Sequence, residues 1–245
     1  MTRPGFFLAL TLLAAAPCAR AADLPANIAA AAADPGRGDQ AATDARRHGP
    51  EILAFAGVKT GDKVVDLIPG GGYWTRLFAR SVGPSGHVFG VWPREYDDPK
   101  DAAAYKAVAA AYGNVTILEQ PAKALAVPTP VDLVFTAQNY HDYPDTFMGA
   151  VDPAILNAQV FAALKPGGVY LIIDHVAPAG SGMADTDTLH RIDPEIVKAQ
   201  VQMAGFRFVG ESPLLRNPAD DHTKKVFDKS IAGHTDQFIY KFQKP

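Results

Sequence analysis

Residues Asp66-Leu67-Ile68-Pro69-Gly70-Gly71-Gly72-Tyr73 constrain the fold of this chain more than any other stretch. They follow the apolar pair Val64-Val65. They precede Trp74 to Arg80, whose apolar residues recur at helical spacing. A strand, a glycine turn and a helix are thus written one after another. In an open α/β sheet, such a junction lays bare backbone and a helix amino terminus at the carboxyl edge of the strands, where ligands bind.

The remainder of the chain supplies the sheet that such a turn requires. Strands are predicted at 63–68, 87–92, 115–118, 131–136, 169–174, 206–211 and 237–242, from β-branched and aromatic runs bounded by glycine and proline. Helices are predicted at 44–55, 73–82, 101–112, 153–164 and 193–204, the last with Asp193 as its cap and Pro194 in its first turn. Alternating β and α units demand parallel strands with right-handed crossovers and helices on both faces. The final two strands lack a helix of crossover length between them, which predicts an antiparallel last strand. The expected fold is α/β: a doubly wound, Rossmann-like, seven-stranded and mostly parallel sheet.

The amino-terminal residues read differently. Arg3, the apolar run from Phe6 to Ala16 and the small residues around Ala19 and Ala21 have the pattern of a secretory signal peptide over residues 1–21. That predicts a periplasmic or secreted location, with no membrane span after cleavage. The single cysteine, Cys18, lies within this segment, so no disulfide is available and packing must hold the remainder together. Residues 22–40, rich in Ala, Asp, Gly and Pro, read as a flexible lead-in. Residues 41–245 read as one domain. With 245 residues, 48% hydrophobic and a net charge of −3, the chain has ample core and no basic stripe suited to nucleic acid. The expected partner is a small molecule; the sequence does not set the oligomeric state.

The glycine turn, the Leu164-Lys165-Pro166-Gly167-Gly168 turn before the fifth strand and the seven-strand pattern resemble those of class I S-adenosylmethionine-dependent methyltransferases. Asn139-Tyr140-His141-Asp142 and Thr188 to Asp193 are similar to segments of a secreted subgroup of predicted methyltransferases. The resemblance covers about residues 52–242 and implies S-adenosylmethionine as cofactor, lying over the carboxyl ends of the first four strands. It assigns Asp66 to the acidic position of the glycine motif, and Gly70 and Gly72 to its last two glycines. Ile68 stands where the family has the first glycine, so the turn is expected to run differently there. Val91-Trp92-Pro93 stands where the family carries an acid, and Glu119 or Gln120 stands near the expected adenine position.

The residues suggest their own chemistry. Glycines at 70, 71 and 72 remove side chains where backbone must approach a ligand, and the following helix offers unbonded N–H groups and partial positive charge. Trp92 either stacks on an adenine ring or packs in the core. The fourth strand empties into Gln138 to Tyr143 and the fifth into Asp174-His175, a density of polar groups that a plain loop does not require. Together with the positions that the resemblance implies, Asp66 and Glu119, the cofactor-facing set is Asp66, Gly70, Gly71, Gly72, Trp92, Glu119 and Asn139. The catalytic set is His141, Asp142, Asp174, His175 and His190, with His141 or His175 as the base and Asp142 or Asp174 orienting the ring. A metal held by His175, Asp174 and His141 matches no tight ligand spacing, and no metal ligands are assigned. Arg46, Arg47 and His48 suit either an anionic substrate or a solvated face. The segment from Asn217 to His222 reads as either a lid or a solvated loop.

Three functions fit this pattern. The first is an exported methyltransferase-like enzyme acting on a small molecule or an envelope component. The second is a binding protein on the same fold whose catalysis has been lost. The third is a metal-assisted enzyme of another class.

Overall fold

The computed structural model of the chain describes residues 24–96 and 99–245. The signal peptide read in residues 1–21 lies outside the described residues. In chain order the helices and strands are α1 Ala26–Ala32, α2 Asp44–Arg47, α3 Gly49–Ala56, β1 Lys63–Leu67, α4 Tyr73–Val82, β2 His87–Pro93, α5 Pro99–Ala111, β3 Val115–Gln120, β4 Val131–Ala137, α6 Pro153–Ala163, β5 Leu164–His175, α7 Thr186–Leu189, α8 Pro194–Met203, β6 Arg207–Glu211 and β7 Gln237–Gln243.

The strands form one seven-stranded sheet in the order β3-β2-β1-β4-β5-β7-β6. The pairs β1–β2, β1–β4, β2–β3 and β4–β5 are parallel, and β7 runs antiparallel to both β5 and β6. The order in which strands are added reverses between the parallel neighbours β1 and β4, with β2 and β3 to one side and the later strands to the other. That switch point puts the ends of β1 and β4 side by side at the carboxyl edge.

Side-chain alternation along each strand builds a core on each face. Val65, Val134 and Ile172 turn to the face covered by Leu156 and Val160 of α6 and Val197 and Val201 of α8. Their neighbours Val64, Leu133 and Ile173 turn to the face covered by Ile28 of α1, Leu53 of α3 and Phe78 of α4. Both faces are thus sealed, as a parallel sheet requires.

Three readings of the sequence change here. The single helix expected over 44–55 breaks at His48, which adopts a left-handed conformation (φ 49°); Pro50 opens α3, and its ring forbids a continuous helix through this point. The fifth strand begins at Leu164, ahead of the expected 169, because its first residues pair with β4 at Val131 across a register shift. The lead-in is not a loose tether where it is described. Ile28 and Ala31 are fully buried, and Asn27 Nδ2 donates to the carbonyls of Val58 (3.1 Å) and Ser81 (3.2 Å). A 3-10 stretch at Pro35–Thr43 follows, pinned by the ion pair of Arg37 with Asp44.

If α1 belongs to the core, Ile28→Ala will cost about 2–5 kcal/mol in urea unfolding. A loss within about 0.5 kcal/mol, the usual range for surface substitutions, would return this segment to a tether.

Candidate active site

The glycine turn reaches its geometry without the expected first glycine. Ile68 itself takes up the left-handed conformation (φ 53°), followed by Gly70 (φ 54°) and Gly72 (φ 81°). The conformation costs a β-branched residue energy. It is held because the Ile68 N–H donates to Val91 O (2.9 Å) and its side chain is buried in the core. The turn therefore runs through a left-handed residue at position 68 despite the substitution. Gly72 is required twice over: a Cβ there would sit 2.7 Å from Val108 Cγ2, and the backbone is left-handed. At Gly70 and Gly71 nothing lies closer than 3.4 Å to a would-be Cβ, so both remain open to a ligand. The Gly71 carbonyl is fixed by Gln40 Nε2 (3.1 Å) and Arg76 Nη1 (2.9 Å).

Beneath the turn, Asp66 is buried in β1 and accepts a hydrogen bond from the Thr75 hydroxyl (2.6 Å). It lines no hollow. It ties β1 to the first turns of α4, and burial pushes its carboxyl up to about 7 against the opposing effects of Thr75 and Arg47.

At the ends of β4 and β5 the polar residues close on one another. The fully buried Asp174 accepts from the His141 amide (2.9 Å) and the His175 amide (2.8 Å), and its Oδ1 lies 2.7 Å from His141 Nδ1. The other ring nitrogen of His141, Nε2, is 3.2 Å from Asp142 Oδ1. His190 Nδ1 approaches that same oxygen at 3.7 Å, its ring perpendicular to that of His141. Burial acts to lower the His141 pKa, but the charges and hydrogen bonds of Asp174 and Asp142 reverse this and raise it to about 10. In Asp174, the His141 partnership outweighs burial and holds the carboxyl below its ordinary value. His175 is driven down to about 3 by burial, and its Nδ1 is tied to Thr235 Oγ1 (2.7 Å). His190 is lowered by burial and then by the neighbouring His141 charge. Of the two histidines offered as a base by the sequence, His141 has a carboxylate at each ring nitrogen, and His175 is bonded to Thr235 and held low by burial.

One hollow of about 490 Å³ unites these parts. Its walls include Ile68, Gly70 and Gly71 on one side and Asn139, His141, Asp142, His175 and His190 on the other. Trp74, Tyr96, Phe147 and Phe227 supply aromatic surface. Trp92 and Glu119 are not part of it. They line a separate hollow of about 200 Å³, with Tyr96 common to both. The pleat explains this: Val91 faces the α6 side, so Trp92 turns the other way and packs against Tyr105 of α5.

Several lining residues escaped the sequence reading. Asp101 of α5 has Oδ2 3.4 Å from a would-be Cβ at Gly70, so an acid reaches the turn from a helix, not from the end of β2. Only its place in the helix's first turn hinted at it. Arg47, which the sequence offered as either an anion holder or part of a solvated face, lies over the rings of Tyr73 (4.5 Å) and Trp74 (5.2 Å) and lines both this hollow and an adjoining one of about 270 Å³. The segment from Asn217 to His222, read as a lid or a solvated loop, does not line this hollow, although Asn217 lines the adjoining one; Val226 and Phe227, further along the chain, do line it.

This sheet order, with its antiparallel β7, is the Rossmann-like fold of class I S-adenosylmethionine-dependent methyltransferases. A SAM-dependent methyltransferase from Aquifex aeolicus has the same fold with a TM-score of 0.57 at 18% identity, covering 86% of this chain and 94% of its own. The [4+2]-cyclase SpnF shares it with a TM-score of 0.61 at 17% identity, covering 82% and 81%. No family model matches the sequence. Among curated proteins, the chain is similar to the ubiquinone/menaquinone biosynthesis C-methyltransferase UbiE of Pasteurella multocida, 28% identical over 177 residues, covering 70% of this chain and 62% of that protein. It is similar to the protein of the same name from Saccharophagus degradans, 29% identical over 182 residues, covering 72% and 69%. The chain thus spans about two thirds of the length of these relatives.

The buried Asp66 gives a pH signature. An acid whose folded pKa lies above its unfolded value contributes most to stability below about pH 4. That contribution is lost as pH rises toward about 7. Asp66→Asn keeps an acceptor for Thr75 and cannot ionise. Relative to the parent chain, the variant should gain on the order of a few kcal/mol between pH 4 and pH 8, read by urea unfolding. Parallel pH profiles would show that Asp66 is ionised in the folded chain throughout.

Proposed function

We propose that this chain is an exported S-adenosylmethionine-dependent methyltransferase whose acceptor is a small molecule with an apolar or aromatic body and a polar, oxygen-bearing end. The observation that carries this reading is the single hollow shared by the open glycine turn and the histidine–aspartate cluster. The methyltransferase names of the curated relatives support the reaction. The apolar run from Phe6 to Ala16 supports export.

The residues present suit the cofactor. A hollow of about 490 Å³ lies within the range of ligand pockets. Gly70 and Gly71 leave backbone exposed at the amino end of α4, where a carboxylate is favoured. Arg47 adds a cation that makes no ion pair with an acid among the described residues. Asp101, beside Gly70, stands where hydroxyl or ammonium groups would be received. When bound, S-adenosylmethionine supplies an electrophilic methyl group on a sulfonium.

The protein's part is alignment, which provides most of the acceleration in a displacement of this kind. Phe147 and Phe227, both exposed, present rings along the hollow that would hold an apolar acceptor and exclude water. Asn139, Asp142 and His190 would take its polar end. The quinone-pathway names of the relatives agree with an aromatic acceptor bearing oxygen. Fold alone does not choose the reaction, because a [4+2]-cyclase shares it. The alternative of a degenerate binding fold rests on the sequence departures at Ile68, Trp92 and Pro121. Ile68 preserves a left-handed turn and Trp92 packs toward α5, so neither obstructs the hollow.

Calorimetry with S-adenosylmethionine tests the reading. Binding is expected, and Gly70→Val should weaken it about tenfold or more while the chain still melts cooperatively, since the side chain would intrude at a left-handed position. A folded parent chain that takes up neither S-adenosylmethionine nor its demethylated product would refute the assignment.

A further inference from the structure

We propose that His141, Asp142 and His190 form a binding site for one divalent first-row transition-metal ion at the polar end of the hollow. His141 Nε2 lies 3.2 Å and His190 Nδ1 3.7 Å from Asp142 Oδ1, and all three atoms fall within 4.8 Å of one another. Three ligands about 2.1 Å from a metal in tetrahedral arrangement stand about 3.4 Å apart. The side chains therefore need only small rotations to share an ion. Among the described residues no other group of three such side chains converges in this way.

The surroundings have the form that a metal-bound imidazole requires. A ligating histidine donates its second ring N–H to a carboxylate, which fixes its tautomer and direction. His141 has that partner in the fully buried Asp174, 2.7 Å from Nδ1, which also accepts from the backbone of His141 and His175. Nε2 is thereby directed to Asp142 and His190.

The placement of His190 carries the argument furthest. It adopts a left-handed conformation (φ 54°), which a non-glycine residue keeps only when its surroundings impose it. The fully buried Arg191 imposes it, bonding Val176 O (2.9 Å), Lys224 O (2.9 Å) and Asp220. Ile192 then pairs with Val176 just beyond β5. An imidazolium clamped between Asp142 and Asp174 would explain His141 alone. It gives no reason to hold a second imidazole, with no hydrogen bond of its own among the described residues, against the same carboxylate oxygen.

Two nitrogens and one carboxylate oxygen suit Zn²⁺, Mn²⁺, Fe²⁺ or Co²⁺ better than Ca²⁺ or Mg²⁺, which prefer all-oxygen sites. Three protein ligands leave positions for water or for an oxygen of a bound molecule. On the methyl-transfer reading, that molecule is the acceptor, and the ion would lower the pKa of its hydroxyl, the proton leaving to water. The existence of the site does not depend on that reading.

The test uses the whole, untagged chain stripped with chelator, titrated with Zn²⁺ by calorimetry and with Co²⁺ by visible absorption. The expected result is about one ion per chain with micromolar or tighter affinity. His190→Ala and Asp142→Asn should each weaken binding at least about tenfold, whereas His87→Ala, at the far end of β2, should leave it unchanged. Circular dichroism of the metal-free variants checks that each is folded. Stoichiometry well below one ion, or full affinity in folded His190→Ala and Asp142→Asn, overturns the site. S-adenosylmethionine affinity, measured on the stripped chain, judges the methyl-transfer reading separately.

Discussion

The Asp174 carboxylate is the interaction on which the candidate site depends. It sits at the end of β5 with no exposure to solvent and accepts from two backbone amides, while the His141 ring stands within hydrogen-bond distance. A buried charge of this kind is tolerable only when nearly every lone pair is engaged. By drawing in the backbone of His141 it also joins the chain leaving β4 to the end of β5. The two loops that carry the polar residues are thus held by a shared anion as well as by sheet pairing. The cost of losing the Asp174 carboxylate would fall on both loops, because it bonds the backbone of His141 in one and of His175 in the other.

Much of the fold was legible from periodicity and punctuation. The turn at Gly70 to Gly72, the alternation that followed it and the polar ends of the fourth and fifth strands needed only local patterns, and local patterns survive into the folded chain. The misreadings came from contacts remote in sequence. Nothing near Ile28 announces that α4 will cover it. Nothing near Trp92 says which way the pleat will turn it. The break at His48 was signalled by Pro50, but the helical spacing across 44–55 masked it.

The site followed the same rule. His141, Asp142, Asp174 and His175 were legible because each stands at a strand end, where topology alone decides position. His190 was legible only as a residue near a cap; its approach to Asp142 rests on Arg191 finding Asp220 and Val176. Asp101 comes from a helix, so counting residues from strand ends never reached it. Ile68 shows the reverse: a motif position that looks broken keeps its backbone shape, because burial and a strand hydrogen bond compensate for the strain.

The anchoring of the loop behind Val226 and Phe227 has a consequence for the medium in which the chain works. Arg191 and Asp220 meet with essentially no side-chain exposure, and the Asp220 carboxylate also accepts from the Asp236 amide. Mobile counter-ions weaken attractions across open water far more than those sealed inside protein. This flank of the hollow is therefore fastened by an electrostatic latch that dissolved salt scarcely reaches. Its shape should persist from dilute to strongly saline surroundings.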